Sequence, residues 1–210
     1  MRAQDQQILQ SWFSPAYPVG GFSYSHGLEA AVVAGDVSDT ASLLAWLDAV
    51  VRHGAARSDA ILLAHTYAHG PLETADLASA LATSRERHLE TWDQGRAFAR
   101  VTRDVHHIDV ADAPFPVAVG VAARALKLPL EDTVRHYLHA MMANLVSAAV
   151  RYVPLGQTDG QRALAGLFPQ IAETATRACG AGLEDLGSMV PGADLAAMEH
   201  ETLSPRIFRT

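Results

Sequence analysis

The sequence predicts an all-α fold, a single-domain bundle of roughly eight or more helices. Three observations predict it. Apolar residues recur at spacings of three and four in nearly every long segment, not in alternation. No Asn-Gly turn separates alternating runs, so no hairpin is signalled. Alanine is abundant throughout, which favours helix and lets helices approach closely.

The elements follow in order. Ile8, Leu9, Trp12 and Phe13 form one apolar face that stops at Pro15. Leu28, Ala31 and Val32 form a short helix ended by Gly35. Ser38 or Asp39 caps the next helix, which carries Leu43, Leu44, Leu47, Val50 and Val51. His65 and His69 share a further helical segment. Gly70-Pro71 is read as the opening of a helix carrying Leu77, Leu81, Leu89 and Trp92, since proline suits a first turn. From Pro129 to Tyr152, the residues Val134, Leu138, Met141, Leu145, Ala148 and Tyr152 form an apolar seam for packing against another helix. Pro154 and Gly156 stop it. One further helix after Thr158 carries Leu164, Leu167, Phe168, Ile171 and Ala178.

Composition narrows the function. Two hundred and ten residues without repeats or a low-complexity linker suit one domain, taken as 1–210. The formal net charge of −7 argues against a nucleic-acid partner, which would want a basic face. Cys179 is the single cysteine, so no internal disulfide forms and a reducing compartment is expected. The polar start, Met1 to Gln7, has no apolar run behind it and does not read as a signal peptide. No segment approaches the ~20 apolar residues of a membrane span. The expected location is the cytoplasm, with no membrane partner.

The most informative stretch runs from Ser14 to Glu29: Ser-Pro-Ala-Tyr-Pro-Val-Gly-Gly-Phe-Ser-Tyr-Ser-His-Gly-Leu-Glu. Pro15 and Pro18 stiffen the backbone and Gly20-Gly21 loosens it. Tyr17, Phe22 and Tyr24 crowd the same loop. Loops usually lie on the surface, so these rings either fold back into a core or face a partner. This segment strongly resembles the hallmark motif of the urease accessory protein F family (UreF). Further blocks match in family order: Gln94 to Phe98, Phe115 to Gly120, Pro154 to Gln161, and a tail with His200-Glu201-Thr202 and Arg206-Ile207-Phe208-Arg209. Together they cover essentially the whole chain. One departure is Ser204-Pro205 before Arg206, where a tyrosine or small polar residue is frequent in the family.

Catalytic and metal chemistry is hard to find. No phosphate-binding Gly-x-x-x-x-Gly-Lys-Ser/Thr loop exists, and Lys127, the one lysine, has no glycine beside it. Ser23, Ser25 and His26 sit together, but the Gly-x-Ser-x-Gly elbow and its strand-to-helix setting are missing. His65 with His69, and His136 with His139, each suit one helix face and could start a metal site. Neither has an acidic partner at motif spacing, and the rings of His106-His107 diverge. Glu184-Asp185 and Glu199 with Glu201 read as solvated faces. No cofactor, metal or catalytic residue is assigned.

Leu203, Ile207 and Phe208 alternate with arginines where a terminus is normally frayed, so the tail is expected to dock. The Arg206 guanidinium would suit loop carbonyls or the face of Phe22. The resemblance implies a non-enzymatic assembly factor that binds a UreD/UreH-like accessory protein and a UreG-like GTPase. That complex would act on apo-urease during nickel insertion, and a homodimer stays open. Tyr17, Phe22, Tyr24, Glu29, Arg206, Ile207 and Phe208 are the expected partner-binding residues. Glu29 reads as a surface glutamate, and the resemblance implies an exposed helix position. The rival readings are a nickel-carrying metallochaperone using surface histidines and, more remotely, a small helical hydrolase.

Overall fold

Caps and breakers cut the chain into eleven α-helices in a computed structural model that describes residues 2–210. They are α1 (Ala3–Trp12), α2 (Leu28–Ala34), α3 (Thr40–His53), α4 (Ala55–His69), α5 (Thr74–Ala80) and α6 (Arg85–His106). Then come α7 (Phe115–Ala125), α8 (Leu130–Tyr152), α9 (Gln157–Gly166), α10 (Phe168–Cys179) and α11 (Pro191–His200). Among the described residues there is no strand. The all-α expectation holds, and no described helix is long and apolar enough to cross a membrane.

Local chemistry explains most boundaries. The Asp39 carboxylate accepts the Ser42 N–H at 2.8 Å and starts α3. Gly35 closes α2 in the left-handed conformation that glycine adopts without strain. Two expectations need correction. The helix read as opening at Gly70-Pro71 is two helices, because Ser84 accepts the Arg87 N–H and starts α6 afresh. Pro71 lies in the preceding turn, and α5 opens only at Thr74. The helix after Thr158 also splits, at Leu167, where Pro169 occupies the first turn of α10 and needs no donor there.

Helix α4 is the axis of the core. Ala56, Ala60, Ile61, Leu62, Leu63 and Ala64 are all buried, nearly around its circumference. It packs against α3, α7, α8 and α10. Each buried leucine contributes about 2 kcal/mol by removal from water. The α8 seam behaves as its spacing predicts: Val134, Leu138, Leu145 and Ala148 are buried, and α8 packs on α9 and α10. Helix α6 lies on α7, with Gly95 at the crossing. A Cβ at Gly95 would stand 1.9 Å from the Ala113 carbonyl oxygen, so only glycine permits this approach. The N-terminal half of α6, together with α2, α11 and the end of α8, frames the surface where the hallmark segment and the tail meet.

Candidate functional site

Glu29 lies in the first turn of α2, and burial there would be costly without partners. Four donors converge on it. The Tyr152 hydroxyl donates to Oε1 at 2.5 Å and His200 Nε2 lies 3.0 Å from Oε2. The backbone N–H groups of Ile207 and Phe208 donate at 2.7 and 2.9 Å. Burial pushes the Glu29 carboxyl up, but the bonds from Tyr152, His200, Ile207 and Phe208 outweigh it and leave the group below its ordinary value. The same contact with Glu29, aided by burial, pushes the Tyr152 phenol up to about 12, so it remains a donor.

His200 carries the network onward. Its Nδ1 lies 2.7 Å from Glu86 Oε2, so a carboxylate oxygen faces each ring nitrogen. That geometry suits a ring in which both nitrogens donate. Arg206 bonds to the other Glu86 oxygen and donates to the His200 carbonyl at 3.3 Å. Two carboxylates, one imidazole and one guanidinium thus join α2, α6, α11 and the tail.

A second network sits on the other side of the tail. Glu90 accepts from Arg87, from His26 Nε2 at 2.6 Å and from Gln94 at 2.8 Å. The Thr210 hydroxyl also donates to it at 3.1 Å. Burial raises the Glu90 carboxyl, but the charges of Arg87 and His26 dominate and hold it at about 2. Burial and the Arg87 charge lower His26, against the pull of Glu90. The backbone completes the dock: the Ser25 N–H donates to the Thr210 carbonyl at 2.9 Å, and the Arg209 N–H to the Ser23 carbonyl at 2.8 Å. Arg209 lies over the Tyr24 ring and donates to its hydroxyl at 3.0 Å.

Beside this junction a cavity of about 380 Å³ opens between the hallmark loop, α1, α6, α7 and α8. Trp12, Phe13, Tyr17, Phe115 and Tyr137 line it, with Asp59, Arg87 and Glu90 among its deeper polar groups. The Tyr137 hydroxyl donates to Asp59 at 2.8 Å. Burial pushes the Asp59 carboxyl up to about 6, with Arg87 and Tyr137 pulling down and Glu90 pushing up.

The expected partner-binding residues divide. Phe22 is 64% exposed and Ile207 70% exposed, and Arg206 is also on the surface. Tyr17 and Tyr24 are buried: Tyr17 bonds to Thr102 at 2.8 Å and packs on Phe98, while Asn144 donates to the Tyr24 carbonyl. Their rings therefore shape the loop from within. Phe208 is buried beside Tyr152. Two expectations are overturned. Glu29 is not an exposed position but only 1% exposed, because the tail folds over it and supplies its donors. Arg206 reaches neither the loop carbonyls nor Phe22, because the buried Glu86 carboxylate takes its guanidinium.

A family model described as UreF matches residues 37–168. The chain is 52% identical over 203 residues to "Urease accessory protein UreF" of Cereibacter sphaeroides (strain KD131), covering 96% of this chain and 97% of that one. It is 49% identical over 218 residues to the protein of the same name from Rhodopseudomonas palustris (strain TIE-1), covering 96% and 91% of the two chains. The chain belongs to the UreF family.

Several UreF blocks that look scattered in sequence meet at this junction. The hallmark segment supplies Ser25, His26 and Glu29; the α6 block supplies Gln94; and the tail supplies His200 and Arg206. Sequence reasoning missed Glu86, Arg87, Glu90 and Asp59 as members. The spacing Glu86, Glu90, Gln94 was the available signal, a polar stripe at intervals of four on one helix face beside a required glycine. Ser25 donates to the Thr210 carbonyl while His26 Nε2 turns to Glu90, so the two do not form a nucleophile–base pair. His65 and His69 lie side by side with ring centroids 4.5 Å apart, whereas His136 bonds to the Asp132 carbonyl. Among the described residues no three His, Cys, Asp or Glu side chains converge as metal ligands.

Proposed function

We propose that this chain is an accessory factor of urease maturation that acts by binding proteins, without catalysing a reaction itself. It works in the cytoplasm as one domain spanning 1–210. It engages a UreD/UreH-like accessory protein and a UreG-like GTPase, and the complex acts on apo-urease while nickel is installed. The names of the relatives support the urease role. The observation that carries the binding reading is the tail locked across Glu29, which sets Ile207 on the same rigid platform as the exposed Phe22. Exposed apolar groups on a rigid base favour association, because little conformational entropy remains to be lost. Phe22, Arg206 and Ile207 would touch a partner; Tyr17, Tyr24, Glu29 and Phe208 would hold the surface in shape.

Co-expression with the accessory protein, the GTPase and apo-urease, followed by affinity isolation and mass identification, tests this. Recovery of a stoichiometric complex with the accessory protein is expected. A chain that stays alone, with urease activated equally in its absence, would refute it.

A further inference from the structure

The cavity beneath the hallmark loop shares Glu90, Arg87 and His26 with the tail dock, but its Asp59 takes no part in that dock, and its charges are unevenly matched. Glu90 is saturated by Arg87, His26, Gln94 and Thr210. Asp59 has one donor, the Tyr137 hydroxyl, and forms no salt bridge among the described residues. Its Oδ1 takes no protein hydrogen bond and is not one of the sealed unpartnered atoms, and the side chain lines both this cavity and a smaller one beside Ser58 and Thr83. An ionised carboxylate has room for several donors. The Arg87 charge is already opposed by Glu90, which leaves the deep end of the cavity acidic. Above it stand aromatic rings, whose faces attract cations and whose carbon surface suits an apolar stem.

We infer that this cavity receives a guanidinium or ammonium group on an apolar stem, supplied by a basic side chain of a protein partner. The inference rests on the assembly reading given above. A volume of about 380 Å³ accommodates one long side chain and the groups flanking it. Phe22 borders the opening and is itself exposed, so an inserted side chain would continue into a contact surface. An arginine or lysine filling a desolvated pocket is a common energetic centre of an interface. A small anionic ligand fits poorly, since it would meet Asp59 and Glu90 at the deep end.

The isolated full chain tests the chemistry, with 4-phenylbutylguanidinium as probe and 4-phenylbutanol as its neutral counterpart. Calorimetry should show saturable one-to-one binding of the guanidinium, weakened at least tenfold by Asp59→Asn and by Ser147→Trp. The second variant narrows the opening from an exposed position and leaves the buried groups intact. Binding to the wild type should strengthen between pH 5 and 7.5 as Asp59 ionises, and stay flat for Asp59→Asn. Arg87 and Glu90 of α6 and Tyr137 of α8 act on this carboxylate, His26 of the loop lines the same cavity against Glu90, and all four are common to both chains. His139, which also lines the opening, is lowered by burial and by the charge of His136, and the Asp59→Asn profile isolates its effect. Equal binding of the alcohol overturns the charge argument. If neither probe binds while wild type still recovers its accessory partner, the cavity inference fails and the assembly reading stands. If both variants lose the probe, remain folded by circular dichroism and recover the partner at full strength, the partner side chain is the wrong source. The cavity is then a site for a small amine. If wild type recovers no partner at all, the assembly reading fails with it.

Discussion

The Ile207 N–H donates to Glu29 Oε1 at 2.7 Å across 178 positions of chain. This bond ties the tail to the end of the hallmark segment, and three further donors share the same carboxylate. Removing it should therefore release the tail without dismantling the core. Glu29→Ala should lower stability by about 3 kcal/mol, because it leaves the Tyr152 hydroxyl, one His200 ring nitrogen and the Ile207 and Phe208 N–H groups without their acceptor. Amide exchange at Ile207 and Phe208 should rise at least a hundredfold, while Leu62 and Leu63 in α4 remain protected. Unchanged exchange at the tail amides would show that Glu29 does not hold it.

Acid should loosen the second network. The Glu90 carboxyl is held at about 2, against an ordinary value of 4.5. Its contribution is fully present above the ordinary value and is lost as pH falls from 4.5 towards 2, because the unfolded chain then binds the proton more readily. The loss is on the order of 3 kcal/mol. Urea titrations at pH 7, 4.5 and 3 should show this slope, and Glu90→Gln should flatten it.

Asp59 carries the opposite sign. Its folded value is raised to about 6 from 3.8, so the folded chain holds the proton more tightly. Stability should fall as pH rises from about 4 to 6, because ionising this deep carboxyl costs more in the folded state. At pH 7.5, Asp59→Asn should therefore be more stable than wild type by up to roughly 3 kcal/mol. Thermal melts at pH 4 and 7.5 check it, and equal differences at both pH values would contradict the burial argument.

Packing makes two sharper predictions. Gly95→Ala would drive a methyl into the Ala113 carbonyl, so the connection before α7 must shift. A loss of about 2–4 kcal/mol is expected in chemical denaturation. Leu138→Asp buries an unpaired charge in the α8 seam at a cost of several kcal/mol, and the variant should be recovered largely unfolded. A wild-type melting curve for either would count against the helix packing described.

Recruitment should respond to the surface residues with the fold intact. Phe22→Ala should change stability by less than about 0.5 kcal/mol, since the ring is exposed. Arg206→Ala should cost about 1 kcal/mol, as the Glu86 pair is partly solvated. Both should reduce recovery of the UreD/UreH-like or UreG-like partner several-fold in pull-down with circular dichroism as control. Full recovery by both variants would mark the tail and loop as ordinary surface.

Local pattern was enough to determine many of the helices, though not α7 or α11. The α8 seam, the Asp39 cap and the Gly35 stop follow from spacing and backbone chemistry, and each appears where the residues place it. It was not enough at Ser84 and Leu167, where an apolar stripe runs on past a cap or a proline and two helices read as one. The hallmark segment and tail were also legible as docking pieces, because aromatic and aliphatic residues there have no local reason to be exposed. What only the tertiary structure decided is the pairing. Glu29 reads as a surface glutamate because a lone carboxylate belongs in water; it is buried because donors from α8, α11 and the tail arrive together. Asp59 and Glu90 diverge for the same reason. Glu90 is buried and Asp59 half-buried, but Arg87 and His26 fall close to Glu90, while Asp59 is left a single hydroxyl donor and an open cavity. Spacing along the chain fixes which face a residue takes, whereas the charge it meets there depends on helices brought together from distant parts of the sequence.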